Sequence, residues 1–495
     1  MNEQGLSVAM RADSDRELRQ ALIRADGQED VCLATYSPST SRSAGDTTAC
    51  IRSVVVPEDG ERRVHGNASF TGAWIVRVGQ VAAERGEGLV LLHSHPQARL
   101  WQQMSQTDED TESGYAGLIT KLTGLPMIGM TLAGGNATWS ARFWSGRGAR
   151  QPAASVRVVG DRLAQSFNPE LLPPPPSTRR QIRTVSAWGD ATQADFARTR
   201  VLVVGLGSVG LDVALRLAAS GICTIGLMDF DEVEVKNLDR MIGATRLDAR
   251  LGRSKVEVAA RLMRAQSTAK NVDIREHEVS ISTPEGLDMA LGYDVIVSAV
   301  DRPWARAVLN SIAYADLIPV IDGGISIENN EDGRMRSATA RVHTLVPGQP
   351  CMTCSRQISI DRVLLDKEGL LDNEDYVRAA GIEPGTAGQN VATLAAMVSA
   401  EILAQFVSLI AAPGGKGVPG PLRYNYKHHV MELLSTRRVA QCPWEATPGE
   451  GDQRVPLVGP HPAATEMIQR RHRRRRTWQY RVRDIADRAL NRLRG

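Results

Sequence analysis

The chain has 495 residues, too many for one hydrophobic core, and its 42% hydrophobic content can fill about two to four domains. A formal net charge of +3 points to no acidic partner, and six thinly spread cysteines exclude a disulfide framework. The opening MNEQGLSVAMRADSDRELRQ lacks the apolar core of a signal peptide, and no apolar run is read as approaching the roughly 20 residues of a membrane span, so a soluble, reducing, cytoplasmic protein is expected.

Residues 1–150 are read as a first domain, with folded character from about Glu17 to about Gly148. TGAWIVRVGQVAAERG has a helical pattern, and LVLL reads as a strand. His93 and His95 close that strand two residues apart, so both side chains leave the same face. Asp108 follows thirteen residues after His95 and three after Ser105. A bare His-x-His is an ordinary strand feature; Pro96, Ser105 and Asp108 turn the reading to a metal site. The pattern resembles the JAMM motif of JAB/MPN isopeptidases, His–Ser/Thr–His and then Ser-x-x-Asp after a variable gap, over about residues 17–148. That resemblance implies Zn²⁺ on His93, His95 and Asp108, with the fourth tetrahedral position open to water. It further implies Glu29 as the upstream general base and Ser105 as support for the oxyanion. The gap of nine residues between His95 and Ser105 is slightly longer than the family's commonest form.

NPELLPPPPST carries four consecutive prolines, which lock φ and remove hydrogen-bond donors, so residues 151–177 are expected to be a stiff, extended linker. The second domain is placed at 178–445. Its RVLVVGLGSVGLDVALRLAASGICTIGLMDFD reads as strand, glycine turn, helix, strand. Gly205, Gly207 and Gly210 form G-x-G-x-x-G directly after the strand, where glycines let phosphate approach the backbone at a helix N-terminus. Taken alone, this suits a nicotinamide dehydrogenase with Asp229 on the ribose. The continuation MDFDEVEVKNLDRMIG, LGRSKVEVAARL and DVIVSAVDRPWARAVLN does not.

Over about residues 178–440 the order D-x-D-x-V-x-x-x-N-L-x-R, lysine, aspartate resembles the ThiF-type, ubiquitin-activating family. The fold then expected is α/β, a Rossmann-like adenylation domain joined to an N-terminal JAB/MPN α/β domain. The resemblance implies ATP and Mg²⁺. Asp229 would hold the ribose; Asn237, Arg240 and Lys255 the phosphates; Asp301 the Mg²⁺. Arg180, in RRQIRTVSAWG, would reach a partner subunit's site, which implies a homodimer.

Relatives usually carry two CxxC pairs holding structural Zn²⁺. Cys351 and Cys354 match the first, but only Cys442 remains of the second, with Glu445 where its other thiol would sit. The fourth ligand is left open between Glu445, His428 and His429, and so is a decayed site of buried free cysteines. The interval that normally hosts a catalytic thiol, DNEDYVRAAGIEPGTAGQN, has none, so an acyl-adenylate without a thioester on this chain is expected.

After Glu445, TPGEGDQRVPLVGPHPAA is read as a flexible connector, and residues 446–495 as a basic, partly helical tail. Its six arginines between Arg470 and Arg476 come with no nucleic-acid-reading motif. A solvated tail or partner-docking helix is the expectation, without nucleic acid as partner. Together, the two resemblances imply a fused deconjugase and activator of the bacterial ubiquitin-like conjugation type. The expected partners are a β-grasp ubiquitin-like protein and a separate conjugating-type enzyme. Sulfur-carrier activation, or an interaction protein with one dead site, are the alternatives.

Overall fold

The computed structural model describes residues 5–65, 67–373, 390–436, 439, 442–475, 482, 484 and 487–490. The described strands build two large sheets. The first is assembled from β1 (Gly5–Arg11), β2 (Val31–Ser41), β3 (Asp46–Val55), β6 (Gly88–His95), β7 (Met127–Ala133), β8 (Thr138–Trp144), β9 (Arg150–Pro152), β10 (Ser155–Val159) and β11 (Leu163–Phe167). A separate hairpin pairs β4 (Arg62–His65) with β5 (Asn67–Phe70). Helices Gly72–Glu84 and Gln106–Thr123 pack beside β6, and the residues of β6 from Gly88 to Leu92 are all buried. That is why the stretch reads as a continuous apolar run.

The second sheet contains β12 (Val201–Val204), β13 (Thr224–Met228), β14 (Asp273–His277), β15 (Val295–Ser298), β16 (Val320–Asn329), β17 (Met335–Leu345), β18 (Leu422–Asn425) and β19 (Val430–Leu433). Its order is β14-β13-β12-β15-β16-β17-β18-β19. The pairs β14–β13, β13–β12, β12–β15 and β15–β16 are parallel. The chain therefore reverses its direction of winding between β12 and β15, the switch point at which doubly wound sheets open a ligand crevice. This is the mixed α/β, Rossmann-like architecture expected from the sequence.

Three expectations are corrected. SVRVV and LAQSF are not linker: β10 pairs in parallel with β1, and β11 runs antiparallel to β10. β3 pairs one edge of β1, and that addition covers its other edge. The proline-rich stretch is left to the residues after Phe167. Second, Ala392–Ala411 is a 20-residue apolar helix that passes the length and composition test for a membrane span. It packs in the core on β16 and β17, where Val398 and Ile402 close over Gly323. Third, residues 446–475 are neither a loose connector nor a solvated tail; most of the remaining tail, 476–495, lies outside the described residues. Asp452 accepts from the Thr40 amide, Gln453 donates to Arg85 and Gly86, and Arg454 pairs with buried Asp316. The helix Pro462–Arg475 then docks on the second sheet through Arg471, which is 1% exposed.

The two sheets share a core in which Ala9, Cys50 and Val159 join Val201, Val295 and Leu317. Polar contacts across the same junction include Ser39 to Asp316 at 2.7 Å and Arg200 to Asp46, with Arg200 also paired to Asp294. Wholly buried Arg157 donates to the carbonyls of Leu317 and Asp316. All these second-sheet groups lie at the N-terminal ends of β12, β15 and β16, opposite the ends where a nucleotide crevice opens. On the first sheet the junction uses the C-terminal part of β2, whereas His93 pairs with Val31 at its start. About 26 Å of strand separates Val31 from Ser39 at 3.3 Å per residue. The His93 end and the crevice therefore face away from the junction on opposite sides.

Candidate functional site

The strand–turn–helix at residues 201–219 makes the floor of the crevice. Gly205 has φ +86°, and a Cβ there would strike the Ala299 carbonyl. A Cβ on Gly210 would lie 1.8 Å from the Gly205 carbonyl, whereas one on Gly207 would meet nothing within 4 Å. The first and third glycines are thus demanded by packing, and the second keeps open space before the N-terminus of helix Ser208–Ala219. Asp229 follows β13 and turns back into the crevice, accepting the Leu206 amide at 2.6 Å and the Asp231 amide at 2.8 Å. Burial raises its pKa, with Lys255 opposing.

Lys255 opens helix Lys255–Gln266 and donates to Asp231 Oδ2 at 2.7 Å, with Asp229 at 4.0 Å. Burial alone would lower its pKa, but Asp229 and Asp231 outweigh burial and push it up to about 12, so the ammonium is kept charged. Asp301, exposed beyond β15, adds to that field. Gly205, Gly207, Gly210, Asp229, Lys255 and Asp301 therefore gather at one crevice. Asp231, which the sequence reading did not assign, holds the lysine. Its signal was the second aspartate of the D-x-D pattern.

Asn237 and Arg240 sit on the loop after β13 but are engaged locally. Asn237 Oδ1 accepts the Glu234 amide at 2.9 Å and shapes the turn. Arg240 donates to the Lys236 carbonyl and Asp239. Arg180 is not brought to this crevice in its own chain. It donates to the Ser267 carbonyl at the far end of the helix begun by Lys255, about 18 Å away at 1.5 Å per residue.

The histidine cluster lies at the C-terminal end of β6. His93 Nε2 and His95 Nε2 are 3.2 Å apart, and Asp108 Oδ2 is 3.6 Å and 3.7 Å from them. Nitrogen and oxygen ligands at about 2.1 Å from a tetrahedral zinc are about 3.4 Å from one another, so these residues fit that ion. Asp108 is placed by a capping box, in which Ser105 starts helix Gln106–Thr123 and donates to Asp108 Oδ2 at 2.8 Å. Burial resists ionisation of Asp108, but hydrogen bonds from His95 and Ser105 hold its carboxyl well below the usual range. Burial and then Arg142 push His93 down to about 3, which keeps the imidazole neutral and able to ligate. The Asp108 hydrogen bond raises His95. Glu29 lies close enough to feel both His95 and Asp108, and burial raises its pKa. Gln102, not singled out in the sequence, brings Oε1 to 3.2 Å from His95 Nδ1 and so favours a proton there, leaving Nε2 for an ion.

The thiol cluster is a third feature. Ligand atoms of Cys351, Cys354, Cys442 and Glu445 all lie within 4.8 Å of one another, and Cys351 Sγ is 3.4 Å from Cys442 Sγ. Thiolates at about 2.3 Å from tetrahedral zinc are about 3.8 Å apart, so this set also fits. Among the described residues, Glu445 is the fourth candidate that joins it; His429 is engaged with Tyr424 at 2.8 Å. The cysteine-free interval falls mostly on residues 374–389, outside the described residues.

Sheet order, glycine turn and crevice define a Rossmann-like nucleotide-binding protein. Residues 178–443 match the ThiF family. The chain belongs to that family. Among similar proteins are the adenylyltransferase and sulfurtransferase MOCS3 of Aedes aegypti, 33% identical over 29% of this chain and 32% of that protein. MOCS3-2 of Zea mays is 29% identical over 41% and 42%. This chain spans less than half the length of these relatives. A crystal structure of E. coli MccB with ATP is 19% identical, covers 54% of this chain and 74% of that one, and has a TM-score of 0.41.

Proposed function

We propose that the chain adenylates the C-terminus of a β-grasp, ubiquitin-like protein with Mg²⁺ and ATP, and trims or removes the same modifier at the His93–His95–Asp108 site. The observation that carries the first half is the convergence of Asp229, Lys255 and Asp301 on the glycine turn. The modifier's carboxylate attacks the α-phosphate and pyrophosphate leaves. Asp229 orients the ribose, Lys255 and Arg240 neutralise charge developing on the phosphates, and Asp301 holds the cation. Asn237 acts by shaping the phosphate loop, and Arg180 completes the crevice of a second copy in a homodimer. A conjugating-type enzyme then takes the activated tail in a reducing, cytoplasmic setting.

For the second half, the carrying observation is the tetrahedral spacing of the three ligand atoms. His93, His95 and Asp108 would hold zinc, which would supply an acidified water and a Lewis acid for the scissile carbonyl. Glu29, whose raised pKa suits proton transfer, takes a proton from water and delivers it to the leaving amine. Ser105 keeps Asp108 ionised and in place.

The test is ATP–pyrophosphate exchange by the full chain with purified β-grasp proteins, together with cleavage of a modifier carrying a C-terminal extension. Exchange that ignores every such protein would sink the first half, and an extension that survives zinc loading would sink the second. The adenylyltransferase and sulfurtransferase relatives favour a second reading, in which the activated tail is handed to sulfur transfer. Thiocarboxylate rather than a lysine conjugate as the final modifier product would select it.

A further inference from the structure

The segment that follows the family match runs back to the nucleotide crevice. His461 stacks on Trp304, with centroids 5.5 Å apart and planes at 14°, and its ring is 5.1 Å from that of Phe230. Trp304 lies three residues after Asp301, and Phe230 directly follows Asp229. Helix Pro462–Arg475 then buries Arg471, whose Nη1 donates to the carbonyls of Phe230 and Asp231 at 3.2 and 3.3 Å. Its Nη2 donates to Phe230 again, and its Nε pairs with Glu278 at 3.1 Å. Glu278 accepts from Ser254 Oγ at 2.9 Å, and Ser254 is the N-cap of the helix that presents Lys255. Arg474 pairs with Glu232 on the same loop. One guanidinium thus ties together the backbone beside Asp229 and the cap beside Lys255.

A buried arginine is costly unless its donors are met, and here both terminal nitrogens donate to carbonyls, while Nε faces the Glu278 carboxylate as an ion pair without hydrogen-bond geometry. Packing alone would be served as well by an apolar side chain. The arrangement suits instead a group that fixes where the 229–232 loop sits relative to Lys255.

We infer that Arg471 is a positioning residue for the nucleotide site, acting through the Phe230 and Asp231 carbonyls and through Glu278 and Ser254. This rests on the adenylation reading for its consequence, although not for the contact itself.

The experiment uses the full chain and its Arg471→Ala, Arg471→Lys and Glu278→Gln variants. Mg·ATP affinity is measured by calorimetry, and amide hydrogen exchange is followed in protein without nucleotide. Arg471→Ala is expected to weaken Mg·ATP binding about tenfold or more, as loss of an orienting outer group does. Faster exchange should be confined to the peptides covering 205–207, 229–233 and 253–256. Arg471→Lys keeps the charge but cannot bridge both carbonyls, so it should fall between. Glu278→Gln provides the answer if Arg471→Ala does not fold, with a smaller loss in the same peptides.

Mg·ATP affinity within twofold of wild type in a folded Arg471→Ala protein overturns the proposal. Exchange that rises equally across the chain also overturns it, because that marks a merely structural role. A wild-type chain that binds no Mg·ATP overturns the adenylation reading instead; local exchange in the nucleotide-free protein then still decides whether Arg471 holds the loop.

Discussion

The histidine cluster and the nucleotide crevice differ in how their charges rest. At the cluster, three ligand atoms already stand at the spacing of a bound ion, and Ser105 and Gln102 orient Asp108 and His95. In the crevice the cations are paired with neighbouring acids, Lys255 with Asp231 and Arg240 with Asp239. A preformed ion site requires little rearrangement, whereas phosphate has to compete with carboxylates for the same ammonium and guanidinium. The two sites also face away from a junction that occupies the opposite strand ends.

The largest expected effect separates the sites outright. Asp301→Ala should reduce modifier-dependent ATP–pyrophosphate exchange by about 10³-fold or more, since it removes charge stabilisation in the crevice. Zinc content and cleavage of an extended modifier should be unchanged. Full exchange activity in that variant would break the adenylation reading, and lost cleavage would break the independence of the sites.

Next in size is Glu29→Gln, expected to slow cleavage by about 10²–10⁴-fold while retaining zinc, because a general base is not needed for coordination. His93→Ala/His95→Ala should lose that zinc altogether. Zinc loss in Glu29→Gln would make Glu29 a ligand instead of a base.

The thiol cluster sharpens the comparison, since a fully ligated ion should stabilise rather than react. Zinc analysis of the full chain should give about two ions, falling to about one in Cys442→Ser with a lower Tm. Modifier with Mg·ATP should leave no thiol-labile adduct on a non-reducing gel. An adduct abolished in a folded Cys351→Ala/Cys354→Ala chain would make one of these thiols a carrier. The smallest effect is expected at the junction. Ser39→Ala removes one hydrogen bond to the buried Asp316 carboxylate and should cost about 1.5–3 kcal/mol in chemical unfolding, with both activities intact. Losing either activity there would show that the junction couples the sites.

Much of both sites was legible because their parts are local in sequence. His93 and His95 share a strand face by the two-residue period, and Ser105 and Asp108 have the spacing of a helix cap. Gly205, Gly207 and Gly210 sit between an apolar strand and an apolar-spaced helix, so the turn reads directly. Asn237 and Arg240 were found by their order in a motif, but which atoms they touch depends on a loop whose backbone no periodicity describes.

The sequence by itself determined the α/β class, the ThiF-type motifs and their order, and the pairing of His93 with His95 on one strand face, because strand alternation, glycine turns and ligand spacing are properties of neighbouring residues. Tertiary structure alone decided what depends on distant segments meeting. It added β10 and β11 to the first sheet and buried the apolar helix Ala392–Ala411 against β16. It brought Cys442 and Glu445 to a pair some ninety residues earlier, with Cys351 Sγ 3.4 Å from Cys442 Sγ. It also converted an arginine from a basic run into a buried tie beside Asp229. An arginine run reads as solvated because charge is costly to bury. What overrides that expectation is a set of carbonyl and carboxylate acceptors more than 190 residues away in the chain, invisible until the fold places them around one guanidinium.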